Sequence, residues 1–205
     1  MIGFYNYSVI LTYVGMASGV LGMFAAMDGN IQLAVFCLMM AGICDMFDGK
    51  IARHLDKTTG RTKEAQVFGI QIDSLCDLVC FGVLPAIICR AIGMKGILDD
   101  IVLVFFILAG LIRLAFFNVC EEKRQRETTD CREEYRGLPI TSSAIFIPLF
   151  YMWKQKMGME LLTGLDILML ITAVLYVADI RVKKPGKKVT AGFCVAAVLL
   201  VARML

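Results

Sequence analysis

The chain has 205 residues, of which 59% are hydrophobic and 19% are charged, and its formal net charge at pH 7 is +3. This composition is too apolar for a soluble globular domain and is typical of a polytopic membrane protein. The single histidine, His54, excludes a histidine-rich metal site, and we expect no nucleic-acid partner.

Seven apolar runs predict membrane helices, and the last run is shorter than the others. They favour an all-α, polytopic transmembrane helix bundle of six or seven helices that forms one domain over residues 1–205. No lysine or arginine precedes the first run, so we expect no secretory signal. Pro85 predicts a kink in the third helix. The predicted helices cover residues 7–27, 31–53, 65–92, 101–119, 139–153, 161–180 and 189–205.

Small residues recur along the first predicted helix, where Gly15, Gly19 and Gly22 stand with Thr12 and Ser18. Such residues allow a neighbouring helix to approach closely. We interpret them as packing residues, and direct contact with a substrate is the alternative. The eight cysteines are scattered without a C-x-x-C pair, and we interpret them as small apolar residues.

Four carboxylates lie in apolar sequence where the second predicted helix ends and the third begins. Asp45 and Asp48 are three residues apart, and Asp73 and Asp77 are four apart, so each pair shares one face of its helix. Charged groups in membrane helices are costly and favour a functional site. If the two helices face each other, one or two divalent cations would neutralise the converging carboxylates. Two ions bridged by carboxylates are the usual arrangement for displacement at phosphorus.

Glycines and a basic side chain accompany these carboxylates. Gly49 and Gly69 lack a Cβ and would let a phosphate come near the backbone. Arg53, one turn after Asp48, has a fork of donors suited to a phosphate oxygen. Residues 54–66 form a basic polar connector, which we interpret as a solvated loop or a contact to anionic headgroups.

Lysine and arginine are distributed unevenly between the predicted loops. The loops after the second, fourth and sixth helices hold five each, fifteen together, whereas the loops after the third and fifth helices and the last residues hold four together. Because basic loops remain in the cytoplasm, the even-numbered helices are predicted to end there. The four carboxylates would then lie at the cytoplasmic face of the cell membrane, at headgroup depth.

The carboxylates belong to a longer pattern. Residues 45–53 read D-x-x-D-G-x-x-A-R, and residues 69–77 read G-x-x-x-D-x-x-x-D. This pattern resembles the signature of the CDP-alcohol phosphotransferases, which are integral membrane enzymes of phospholipid synthesis. The spacer between the two halves, residues 54–68, is longer here than in the general pattern.

Three further stretches resemble the phosphatidylserine synthase branch of that family. Residues 73–85 read D-S-x-x-D-x-x-x-F-G-x-x-P, residues 113–118 read R-L-x-x-F-N, and residues 136–139 read R-G-L-P. The first helix departs from the branch, because Gly15 stands where members often carry asparagine. The resemblance covers about residues 7–150.

The resemblance implies an activity and a set of metal ligands. The expected reaction transfers the phosphatidyl group of CDP-diacylglycerol to the hydroxyl of L-serine and releases CMP. Two divalent ions, Mg²⁺ or Mn²⁺, would be held by Asp45, Asp48, Asp73 and Asp77. Asp77, the last aspartate of the signature, would also be the general base. A homodimer among membrane lipids is also implied.

The substrate contacts come partly from the resemblance and partly from charge. The resemblance implies that Gly49, Ala52, Arg53 and Gly69 seat the cytidine diphosphate. The serine carboxylate needs a cation near the same end of the bundle, and Arg113 and Arg136 are the candidates. For Arg113, the alternative is a side chain that reaches to the membrane interface.

Two other functions remain open. A phosphatidylglycerophosphate or phosphatidylinositol phosphate synthase would share the same signature. A divalent-cation transporter would also carry intramembrane carboxylates. Transport favours acids near the midplane on helices that alternate access, whereas these carboxylates cluster towards one face beside glycines and an arginine. That arrangement favours an enzyme.

Overall fold

The computed structural model describes Gly3 and residues 7–58, 62–127, 134–157 and 160–183, with only the backbone described near several segment ends. The chain begins with a helical hairpin of α1 (Tyr7–Met27) and α2 (Ile31–Thr58). Gly29 turns the chain with a φ of 80°, in the left-handed region that favours glycine. The Asn30 side chain then accepts a hydrogen bond from Leu33 N at 3.1 Å and begins α2.

The third span is one continuous helical segment, Lys63–Ile92, built from three parts. Helix α3 (Lys63–Asp77) is capped by Thr62, whose hydroxyl accepts a hydrogen bond from Ala65 N. A π-helical segment, Leu78–Val83, follows directly, and α4 (Leu84–Ile92) completes the span. The wider turn begins at the residue after Asp77, so it lies beside the carboxylates.

Pro85 explains why the helix widens there. A proline has no N–H, so in a regular α-helix the carbonyl four residues earlier, that of Phe81, would lose its donor. Here Ser143 donates to that carbonyl from another helix, with Oγ 2.9 Å from Phe81 O. Where the sequence predicted a kink at Pro85, the structure has a π-helical segment just before the proline, with an external hydrogen bond.

The second half of the bundle contains the long helix α5 (Ile97–Glu127) and the shorter α6 (Ser143–Met157) and α7 (Glu160–Val177). A 3₁₀ turn, Ile140–Ser142, leads into α6. Two three-residue strands, β1 (Glu134–Arg136) and β2 (Arg181–Lys183), pair antiparallel with Tyr135 opposite Val182. Gly137 follows β1 with a φ of 76°, and its N–H donates to Ile180 O at 2.8 Å.

The predicted all-α membrane bundle is confirmed, with the small β1–β2 pair added. Four helices are long and apolar enough to cross a membrane, namely Val9–Met27, Ile31–Ile51, Lys63–Ile92 and Ile97–Lys123, and two shorter apolar helices accompany them in the part of the chain that the structure describes. The predicted seventh helix, residues 189–205, lies outside the described residues. The predicted connector of residues 54–66 is wrong in extent, because α2 continues to Thr58 and α3 begins at Lys63.

The glycines of α1 pack as predicted. A Cβ placed on Gly19 would lie 2.5 Å from Cys80 Sγ, and one placed on Gly22 would lie 2.9 Å from Cys37 Cβ. Ser18 donates to Cys37 O at 3.0 Å across the same α1–α2 contact. The described cysteines are free thiols, in agreement with their interpretation as small apolar residues. Helix α1 is therefore held closely against α2 and the π-helical segment.

Candidate active site

Three of the four predicted carboxylates meet in space. Asp45 on α2 and Asp73 and Asp77 on α3 each offer an oxygen, and these oxygens lie within 4.8 Å of one another. All three side chains are partly buried. Carboxylates at this separation repel one another unless a positive charge neutralises them. A set of ligands made only of oxygen suits a hard divalent cation such as Mg²⁺ or Mn²⁺.

Asp48, the fourth carboxylate, lies in the same pocket but has a different neighbour. Its Oδ2 accepts a hydrogen bond from Thr12 Oγ1 at 2.8 Å, and both side chains are buried. Thr12 was expected only to pack, so this polar contact from α1 corrects that expectation. A signal was present in the sequence, because Thr12 shares the helix face of Gly15 and Gly19. The pocket is lined by Thr12, Gly15, Met16, Ala41, Asp45, Asp48, Asp73, Cys76, Asp77, Cys80 and Phe81.

Arg113 reaches this site from α5. Its side chain is only 9% exposed, so it does not extend to the membrane interface as the alternative required. The guanidinium is within electrostatic range of both Asp77 and Tyr176. A buried cation therefore lies within electrostatic range of the carboxylate cluster, although Arg113 is not among the residues that line the pocket.

Two stretches that resemble the phosphatidylserine synthase branch contact each other directly. Ser74, the residue after Asp73, donates to Asn118 Oδ1 with an oxygen–oxygen distance of 2.8 Å. Asn118 ends the R-L-x-x-F-N stretch that begins with Arg113. This bond joins α3 to α5, so the carboxylates and Arg113 are positioned relative to each other.

A group of polar residues that sequence reasoning missed surrounds the start of α6. Tyr176 on α7 donates to Ile140 O at 2.9 Å, and Ser143 donates to Ile140 O at 3.1 Å as well as to Phe81 O. Ser142 is also buried. The two serines follow the R-G-L-P stretch closely, which could have drawn attention to them. Tyr176 lies in an apolar helix without any motif.

Of the residues predicted to contact the nucleotide, the structure fully describes Gly49 and Gly69. A Cβ placed on Gly49 would have no atom of the described residues within 4 Å, which leaves open space beside this glycine, as a nearby phosphate would need. Gly69 lies on α3 and is half-buried. The side chains of Ala52, Arg53 and Arg136 lie outside the described part of the chain, although their backbones belong to α2 and β1. Their roles stay predictions.

The sequence of the chain is similar to those of several known proteins. The profile described as CDP-alcohol phosphatidyltransferase matches residues 5–178. A CDP-diacylglycerol–serine O-phosphatidyltransferase of Saccharomyces cerevisiae is 36% identical over 123 residues, which cover 59% of this chain and 42% of the yeast protein. An archaetidylserine synthase of Methanothermobacter thermautotrophicus is 31% identical over 144 residues, which cover 70% of this chain and 56% of that protein.

A third relative comes from Helicobacter pylori. Its CDP-diacylglycerol–serine O-phosphatidyltransferase is 30% identical over 156 residues, which cover 74% of this chain and 60% of that protein. The matched part of the chain thus spans between 42% and 60% of the length of these three relatives.

Proposed function

The chain belongs to the CDP-alcohol phosphatidyltransferase family, and we propose that it transfers the phosphatidyl group of CDP-diacylglycerol to the hydroxyl of L-serine. The products are phosphatidylserine and CMP. The observation that carries the proposal is the convergence of Asp45, Asp73 and Asp77 within 4.8 Å, with Arg113 in electrostatic range of Asp77. The names of the yeast and Helicobacter pylori relatives support serine as the acceptor.

The four aspartates are proposed to hold two divalent ions, Mg²⁺ or Mn²⁺. When bound, such ions neutralise the diphosphate of the donor and stabilise the CMP that leaves. The open space beside Gly49 supports a position for the nucleotide diphosphate next to α2, with Ala52, Arg53 and Gly69 as its further contacts.

Asp77 is proposed as the general base, and Arg113 as the group that holds the serine carboxylate. Arg113 is within electrostatic range of Asp77, so in this proposal a serine bound by Arg113 presents its hydroxyl to the Asp77 carboxylate. Asp77 takes the hydroxyl proton while the serine oxygen forms a bond to the phosphorus that carries diacylglycerol. The bond from that phosphorus to the bridging oxygen breaks, and CMP keeps the bonding electrons.

The membrane arrangement completes the proposal. The excess of lysine and arginine in alternate loops supports an active site that faces the cytoplasm, where serine and CMP are dissolved. The resemblance to the family also supports a homodimer. Crosslinking of the protein in detergent micelles tests the dimer.

An acceptor assay tests the reaction. We would incubate the purified protein and Mn²⁺ with CDP-diacylglycerol and labelled serine, glycerol 3-phosphate or inositol phosphate. We expect a labelled lipid from serine only, no product in excess chelator, and recovery when Mg²⁺ or Mn²⁺ is restored. A lipid formed only from glycerol 3-phosphate or inositol phosphate would assign another acceptor. Cation flux into vesicles without any transfer would favour a transporter.

A further inference from the structure

The bond between Thr12 and Asp48 joins α1 to the carboxylate site. Thr12 is 8% exposed and Asp48 is 5% exposed, so water does not compete freely for this hydrogen bond. The hydroxyl donates to Oδ2 at 2.8 Å, the usual length of an O–H···O hydrogen bond. Asp48 is thus held by a donor from another helix.

The packing contacts of α1 restrict the position of the Thr12 hydroxyl. One turn further along α1, Gly15 O accepts from Cys80 Sγ at 3.6 Å, and a Cβ on Gly15 would lie 3.1 Å from Cys44 Cβ. Beyond that, Ser18 donates to the backbone of α2. These contacts fix the helix on both α2 and the π-helical segment, so Thr12 presents its donor at a set position.

Asp48 needs such a donor more than the other three aspartates do. Its oxygens do not belong to the group in which Asp45, Asp73 and Asp77 lie within 4.8 Å of one another, although Asp48 lines the same pocket. A carboxylate that faces three others is repelled from them and would turn towards other rotamers. The Thr12 hydroxyl opposes that rotation and carries no charge of its own.

We infer that Thr12 is a positioning residue, which fixes the rotamer of Asp48 so that its carboxylate serves as a ligand for a divalent cation. The inference rests on the metal-binding part of the proposed function and does not depend on which alcohol is the acceptor. Residues that orient a metal ligand typically change metal affinity by about 10–100-fold when they are removed.

The test compares three variants by equilibrium binding of Mn²⁺ without any substrate. Thr12→Val keeps the size of the side chain and removes the donor, and we expect Mn²⁺ affinity to fall about tenfold or more. Thr12→Ser keeps the hydroxyl and should bind Mn²⁺ within about twofold of the original protein. Ser18→Ala is the matched control, because it removes another α1 hydroxyl that contacts α2 away from the carboxylates. It should leave Mn²⁺ affinity unchanged.

The same Thr12 substitution in the Asp48→Asn variant shows whether Thr12 acts through Asp48. In Asp48→Asn, adding Thr12→Val should lower Mn²⁺ affinity by less than about twofold, because the carboxylate that Thr12 orients is gone. An equal fall in both backgrounds, or equal falls in Thr12→Val and Ser18→Ala, would overturn the inference. If the original protein binds Mn²⁺ but transfers no serine, the proposed acceptor fails while the Thr12 inference stands. If it binds no Mn²⁺, both fail.

Discussion

Asp77 differs from the other aspartates in what surrounds it. It is the member of the cluster that has Arg113 nearby, and it immediately precedes the π-helical segment. A carboxylate with both other carboxylates and a buried cation in electrostatic range suits a group that accepts a proton from a bound alcohol. The three other aspartates can still hold a cation when Asp77 has lost its charge.

Asp77→Asn is therefore expected to separate chemistry from binding. Transfer to serine should fall by about 10²–10⁴-fold, the range for loss of a general base. Binding of CDP-diacylglycerol in the presence of Mn²⁺, measured by titration of the purified variant, should persist. Asp48→Asn is the comparison, and we expect it to weaken Mn²⁺-dependent donor binding. Equal loss of donor binding in both variants would make Asp77 chiefly a metal ligand.

Arg113 gives a second prediction at this scale. Arg113→Lys keeps the positive charge and loses the fork that holds a carboxylate with two hydrogen bonds. Loss of one such bond costs about 1.5 kcal/mol, so the KM for serine should rise about tenfold while the KM for CDP-diacylglycerol changes little. Steady-state kinetics with each substrate varied in turn measures the difference. Equal increases for both substrates would assign Arg113 to the donor or to the fold.

At the scale of elements, the sequence predicted what depends on local pattern. The bounds of α1 agree with its apolar run, and the spacing of the aspartate pairs correctly placed Asp45, Asp73 and Asp77 on facing helices. Thr12 could not be assigned to Asp48 in the same way, because their hydrogen bond joins residues 36 positions apart. Contacts of this kind follow from how helices pack, which no local pattern contains.

The π-helical segment shows the same limit. Pro85 indicated a disturbed helix, but whether the helix kinks or widens depends on the donor available to the Phe81 carbonyl. That donor, Ser143, belongs to a different helix. The long connector was mispredicted for another reason, since its polar residues also suit an exposed helix end, and α2 extends to Thr58 beyond the apolar run.

The close packing of α1 leads to a prediction about stability. Gly19→Ala would place a Cβ 2.5 Å from Cys80 Sγ and should lower the thermal unfolding midpoint in detergent, with a cost of about 1–3 kcal/mol for overpacking. Adding Cys80→Ala removes the sulfur and should restore much of the loss. Gly49→Ala is the control, because its Cβ would meet no atom within 4 Å in the part of the chain that the structure describes. Similar destabilisation in both single variants would argue against the close contact.

For the whole molecule, helix geometry gives the position of the site along the bundle. At 1.5 Å per residue, Asp45 lies about 21 Å along α2 from Ile31, and Arg113 lies about 24 Å along α5 from Ile97. Asp77 lies about 22 Å along its span from Ile92, the last residue of that span. The reference residues Ile31, Ile92 and Ile97 lie at the same side of the bundle. Asp45, Asp77 and Arg113 therefore lie at about the same height in the bundle.

The orientation of this level can be tested with an epitope tag. A tag inserted beside Lys95, in the turn between α4 and α5, should bind antibody on intact cells, because that turn is predicted to face outwards. A tag inserted before Thr62 should bind antibody only after the membrane is permeabilised. The reverse pattern would place the carboxylates at the outer face, away from dissolved serine and CMP.

The bond from Ser143 to the Phe81 carbonyl also sets an order of events during synthesis. The two residues are 62 positions apart, and a ribosome that adds about 5–20 residues per second needs about 3–12 s to travel between them. All four aspartates have left the ribosomal active centre before Ser143 is joined to the chain. Until α6 enters the membrane, the Phe81 carbonyl in the π-helical segment therefore lacks its Ser143 donor and is either unsatisfied or bound to water.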